Sequence, residues 1–197
     1  MRGSRHVMRR IAASLFVLAF AGADAGLAQS AGERLPLCLS CHGEKGQSET
    51  PGVPSLGGQP AMYVLIELFL FREKLRKVDP MTDMAAGLSD AELQQLADAI
   101  AKLPPPRPAA EPEPARMERG AALIRQHRCA FCHNNLAGAD NVPRIAAQRE
   151  DYVLKSLRDY KSGTRHEYQP VMSEVLAPLK DEDLIDLAHF LAHTAAP

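Results

Sequence analysis

The sequence predicts an all-α protein made of two tandem, duplicated domains, and three observations carry that prediction. Apolar residues recur at helical spacing, and no strand-like alternation stands out. The second half of the chain repeats the first at an offset of 89 to 91 residues. A stretch with six prolines, Leu103 to Ala115, separates the two copies.

The repeat is dense. Cys38, Cys41 and His42 match Cys129, Cys132 and His133 at an offset of 91. "VPSLGGQ" from Val53 matches "VPRIAAQ" from Val142 at an offset of 89, and "YVLIELFLF" from Tyr63 matches "YVLKSLRDY" from Tyr152 at the same 89. The offset returns to 91 at Met81/Met172, Leu88/Leu179, Asp90/Asp181 and Leu93/Leu184. A two-residue loop change, later compensated, accounts for the drift.

Residues 1–25 read as a cleaved secretory signal. Arg2, Arg5, Arg9 and Arg10 precede an apolar run from Ile11 to Gly22, and Ala23-Asp24-Ala25 supplies a small-residue cleavage site, with Ala28 a second option. An apolar run of about a dozen residues falls short of the ~20 that a membrane-spanning helix needs. Export to the periplasm is the expectation. Residues 26–103 form the first domain, 104–114 a proline-rich linker and 115–197 the second domain. Proline lacks an amide donor and clashes inside helices, so the linker should be extended.

Within the first domain, Pro60 to Lys77 keeps a helical period and stops before Asp79-Pro80. The next helix opens at Ser89 with Glu92 three residues on, and places Leu93, Leu96 and Ile100 on one face. The second half repeats both, as Glu150 to Lys161 and Asp181 to Ala192. "ARMERGAALIRQHR" adds a helix that leads into the second cysteine motif. "MYVLIELFLF" (Met62 to Phe71) is apolar nearly all round, whereas its copy is amphipathic. It reads either as pocket core or as a face packed against the second domain or a partner.

A formal net charge of -1, with no Lys/Arg block outside the N-terminus, gives no sign of nucleic-acid binding. Each half is small for a self-sufficient core, and a large apolar cofactor inside each would ease that problem.

Cys-x-x-Cys-His, present twice and using all four cysteines, is the attachment signature of c-type heme. Two thiols on one turn can add to the two vinyl groups of one porphyrin, and the adjacent histidine is then aimed at the iron. A four-cysteine zinc site leaves the histidine after each pair unexplained. A thioredoxin-like dithiol lacks a βαβ surround, and a disulfide across two residues closes too small a loop to stabilise much. Cys38, Cys41, Cys129 and Cys132 are therefore the candidate thioether sites of two covalent heme c groups, and His42 and His133 the candidate axial ligands.

A second axial ligand should lie in each repeat. Met81 and Met172 follow their histidines by the same 39 residues, and seven methionines are too sparse to fall into that register by composition. Met84 competes in the first half, but its counterpart at offset 91 is Val175, which cannot ligate. Pro54 and Pro143 offer carbonyls to the second ring nitrogen of each histidine. His189 and His193, four apart on the last helix, read as packing or solvated residues rather than as a metal pair.

On these residues — "CLSCHGEKGQS", "VPSLGGQPAMYVLIEL", "MTDMAAGLSDAELQQLADAI" and their second copies — the chain resembles the class I diheme cytochromes c of the cytochrome c4 type. The resemblance implies two tandem class I cytochrome c domains related by pseudo-twofold symmetry. It implies His/Met-ligated irons and an electron-carrying role in the periplasm, often toward a terminal oxidase. Its methionine position, seven residues before the Leu of the "LS" segment, selects Met81 and Met172. Two departures stand out. "SAGERLPLC", with Pro36, leaves only a short segment before the first motif where a full helix is usual, so some helix pairing should be lost. Asn134 replaces the glycine found at Gly43, which requires asparagine at positive φ.

With both axial positions filled, the irons should move electrons and not bind oxygen or peroxide. The partners implied are a redox donor and acceptor: a terminal oxidase, a quinol-oxidising complex or a dehydrogenase. Peripheral association with the membrane is compatible with this. The competing readings are the electron-accepting cytochrome subunit of a periplasmic dehydrogenase, for example one oxidising sulfide or an alcohol, and a diheme peroxidase, which needs a five-coordinate iron.

Overall fold

A computed structural model describes residues 31–166 and 170–196. The expected signal segment and its cleavage sites lie outside the described residues. The described chain is helical, and its only bridge pairing is the isolated Ala139–Val142 contact.

The first half contains α1 (Ala31–His42), α2 (Ala61–Arg72), α3 (Met81–Ala85) and α4 (Asp90–Ala101). The second contains α5 (Pro114–Gln126), α6 (Cys129–Cys132), α7 (Glu150–Ser162), α8 (Pro170–Leu176) and α9 (Asp181–His193). α4 opens with the expected capping box: the Ser89 side chain accepts from the Glu92 amide, and the Glu92 carboxylate accepts from the Ser89 amide. α5 opens with proline in its first turn, where the missing donor costs no intrahelical bond. α2 ends at Arg72, earlier than its apolar pattern predicts. The chain turns out through Lys74 at φ 57, a conformation that a continuing helix cannot hold.

The two cores are copies. Val64, Leu68, Leu88, Leu93, Leu96 and Ala97 are buried in the first, and Val153, Leu157, Leu179, Leu184, Leu187 and Ala188 occupy the equivalent places in the second. α4 packs on α1 and α2, as α9 packs on α5 and α7. The expected loss of helix pairing before the first motif is seen in degree: α1 still packs on α4, but over a much smaller contact than α5 makes with α9. α1 runs through Pro36 into Cys38, Cys41 and His42 as one helix, and Arg34 pairs with Glu92 of α4 at 3.2 Å. The second motif is built differently. α5 stops, Arg128 takes a left-handed conformation, and α6 starts afresh. Asn134 stands at φ 47, as its replacement of glycine requires, and its side-chain amide donates to the Gly138 carbonyl at 3.1 Å.

Among the described residues, no packed helix pair joins the two halves. They meet through loops and side chains. The Tyr63 amide donates to Asp140 O at 3.1 Å, and the Gly52 amide donates to the Asp151 carboxylate at 2.8 Å. The proline-rich stretch lies on both halves. Arg107 donates its amide to Gln47 at 3.1 Å, Ala109 to Ala192 O at 2.9 Å, and Glu113 to His189 Nε2 at 2.9 Å.

Candidate functional site

His42 ends α1 and is 5% exposed, with its Nδ1 2.8 Å from Pro54 O. His133 follows α6, is 6% exposed, and places Nδ1 2.9 Å from Pro143 O. A carbonyl oxygen only accepts, so Nδ1 of each ring carries the proton and Nε2 presents its lone pair. Burial lowers the pKa of both rings, against the opposing pull of the carbonyl bond. Two neutral imidazoles with an oriented free nitrogen are what a transition-metal ion requires.

The four cysteines form no disulfide with one another. Cys38 and Cys129 are half-buried on their cores, and Cys41 and Cys132 are exposed. Burial raises the Cys38 and Cys129 thiols above their ordinary pKa. Met81 opens α3, half-buried against the first core that also holds Cys38. Met84 stands a turn later and is 36% exposed. Met172, on α8, packs on the second core.

In the second half the structure brings the sequence-selected groups together. Cys132, His133 and Met172 line one predominantly apolar cleft. Its opposite wall comes from the first half, where Tyr63, Ile66, Glu67 and Leu70 project from one face of α2. This resolves the all-apolar α2. Val64, Leu68 and Phe71 fill its own core, and the face through Ile66 and Leu70 closes the neighbour's cleft. Phe69 and Met62 lie outside both sets and remain exposed.

At the polar side of the cleft sits a cluster that repeat spacing could have revealed. Arg76 and Arg165 are 89 residues apart, as are Tyr63 and Tyr152. Glu67 lies between the two guanidiniums, paired with Arg76 and 2.6 Å from Arg165. Burial pushes the Glu67 carboxyl up, but Arg165 and Arg76 outweigh it and hold it below the usual range. Two buried cations against one carboxylate leave a positive surplus beside an apolar cleft. An iron-bearing macrocycle with carboxylate side arms would fit that chemistry, with Cys132 to attach it and His133 to ligate its iron.

His189 and His193 are structural. His189 is buried, accepts from the Glu113 amide and directs Nδ1 to Glu150 at 3.1 Å. His193 places Nδ1 2.8 Å from His189 O. Glu150 completes a cluster within ligand reach of one another, yet the ring nitrogens of both histidines are already engaged by protein.

Comparison with known proteins agrees with this geometry. The cytochrome c family matches residues 117–195. Cytochrome c4 of Thiocapsa roseopersicina is 32% identical over 167 residues, spanning 79% of this chain and 85% of that protein. The chain belongs to the cytochrome c4 family. The crystal structure of reduced recombinant cytochrome c4 from Pseudomonas stutzeri superposes with a TM-score of 0.76 at 27% identity, covering 84% of this chain and 97% of that one. A protein named thiosulfate dehydrogenase electron acceptor, from Stutzerimonas stutzeri, is 28% identical over 79% of this chain and 78% of its own length. As a cytochrome c4 the chain is an electron carrier and not an enzyme, and membership implies covalently bound heme c.

Proposed function

We propose that this chain is a periplasmic diheme carrier that passes electrons between respiratory partners, toward a terminal oxidase. Cys38 and Cys41 anchor one heme, and Cys129 and Cys132 the other. His42 with Met81, and His133 with Met172, ligate the two irons. The observation that carries this reading is the second cleft, an apolar space that Cys132, His133 and Met172 line together. The repeat extends it to the first half. The arginine-rich, apolar start of the sequence supports export.

When bound, each heme supplies a one-electron Fe(III)/Fe(II) couple. The chain's part is to hold and tune. Pro54 and Pro143 orient the histidines through Nδ1. The methionine thioethers, weak donors, favour Fe(II) and raise the potential. With Met81 and Met172 as ligands beside His42 and His133, the irons would have no place for peroxide, which argues against a diheme peroxidase.

Absorption spectra of Met81→Ala, Met84→Ala and Met172→Ala test the ligand set. The first and third should each lose part of the iron–methionine charge-transfer band, and Met84→Ala should keep it. Retention of the full band in both Met81→Ala and Met172→Ala would sink the assignment.

A second reading is favoured by the thiosulfate dehydrogenase electron acceptor of Stutzerimonas stutzeri. In it, this chain accepts electrons from a periplasmic dehydrogenase. Co-purification with such an enzyme, and reduction only when its substrate is added, would select it over the free shuttle.

A further inference from the structure

Each candidate axial histidine is tied to a peptide unit that the opposite half grips. Pro54 O accepts from His42 Nδ1 at 2.8 Å. The other end of that same peptide unit, the Ser55 N–H, donates to Gln148 Oε1 at 2.8 Å. Gln148 Nε2 donates to Ser55 O, also at 2.8 Å. The second half repeats the pattern. Pro143 O accepts from His133 Nδ1 at 2.9 Å, and the Arg144 N–H of that peptide donates to Gln59 Oε1 at 3.0 Å. Gln59 Nε2 donates to Arg144 O at 2.9 Å. Gln59 and Gln148 are 89 residues apart in sequence, as are Ser55 and Arg144. The same contact is thus made twice about a pseudo-twofold axis. Ser55, Gln59, Arg144 and Gln148 are all buried.

A peptide unit transmits polarisation. An acceptor on its N–H increases the negative charge on its oxygen, and hydrogen bonds in a chain strengthen one another where water is excluded. A stronger acceptor at Nδ1 makes the imidazole a more basic metal ligand. A more basic ligand favours Fe(III) and lowers the potential.

We propose that Gln148 and Gln59 are cross-domain positioning residues, each setting the donor strength of the axial histidine in the opposite half through one shared peptide unit. The inference rests on the His42 and His133 ligation given above. Its consequence is that each heme's potential is governed by a side chain of the other domain. Linkage works in both directions. Oxidation of one iron, which makes its imidazole N–H more acidic, tightens the chain of bonds that ends on the other half.

The test uses the full, heme-loaded chain. Gln148→Met and Gln59→Met keep the side-chain length and remove both hydrogen bonds to the opposite half, and Gln148→Glu and Gln59→Glu retain an acceptor oxygen. Voltammetry gives both potentials, and NMR of the shifted heme methyl and axial histidine protons assigns them. Gln148→Met should raise the potential of the heme at Cys38/Cys41 and shift the His42 Nδ1 proton, with a much smaller change at the other heme. Gln59→Met should do the reverse. The Glu variants, with a stronger acceptor at the same place, should lower the potential of the opposite heme. They carry the same test if the Met variants do not fold. Three results would overturn the proposal: equal shifts at both hemes, a shift confined to the glutamine's own half, or no shift. A wild-type protein without two six-coordinate, histidine-ligated irons would instead remove the reading beneath it.

Discussion

Glu67 and Arg165 lie 2.6 Å apart across the boundary between the halves, although 98 residues separate them in sequence. Arg76 pairs with the other oxygen of the same carboxylate. Removing one member of a buried ionic cluster leaves uncompensated charge, which costs about 3–5 kcal/mol. Glu67→Gln should therefore destabilise the protein by about that amount, read as a lower urea midpoint. Glu67→Gln combined with Arg165→Met should recover part of the loss. A midpoint unchanged in Glu67→Gln would mean that water already screens the cluster.

The same carboxyl gives a pH dependence. Its folded pKa lies below the unfolded value of 4.5 because the two arginines outweigh burial. A depressed carboxyl pKa contributes stability above the unfolded pKa and loses it as pH falls through the folded value. Wild type should therefore lose stability more steeply than Glu67→Gln on acidification below about 4.5. Parallel curves in that window would exclude the linkage.

Gly120 marks a close approach of α5 to α9. A Cβ there would stand 2.4 Å from Phe190 Cβ and 2.6 Å from Asp186 O. The first contact is with the fixed root of a side chain and the second with backbone, so neither can yield cheaply. Gly120→Ala should cost about 1–3 kcal/mol through overpacking, outweighing alanine's better helix propensity. Thermal unfolding checks the sign. A stabilised Gly120→Ala would show that α5 can slide away from α9.

Much of this was legible in the sequence, for physical reasons. α2, α4, α5, α7 and α9 are long enough for an apolar period to register, and the Ser89–Glu92 pattern located a helix start that the structure contains. The methionines were placed by register with the histidines, whereas the helices that carry them, α3 and α8, are too short to show a period. The histidine–proline bonds were also anticipated from spacing. The cross-domain contacts were not. The repeated glutamines Gln59 and Gln148 were visible as a matched pair, but equivalence in a repeat does not reveal that each reaches outward to the other copy. Arg76 and Arg165 share the offset of 89 and carried the same unread signal. Glu67 sits inside an apolar run and carried no signal of its own; its partner Arg165 belongs to the other half.

Leu93 and Leu184 are equivalent residues of the two cores, 2% and 1% exposed. Each fills its own half, and no packed helix pair crosses between halves among the described residues. Truncating a buried leucine to alanine costs about 2–5 kcal/mol, set by how far the cavity collapses. Leu93→Ala and Leu184→Ala should each fall in that range. Sites without shared partners add within ~0.5 kcal/mol, so the double variant should lose the sum of the two. A larger discrepancy would mean that strain travels between the cores. The glutamine contacts and the Glu67 cluster are two buried routes between the halves, so repeating the cycle in Gln148→Met and in Glu67→Gln would show whether either carries it.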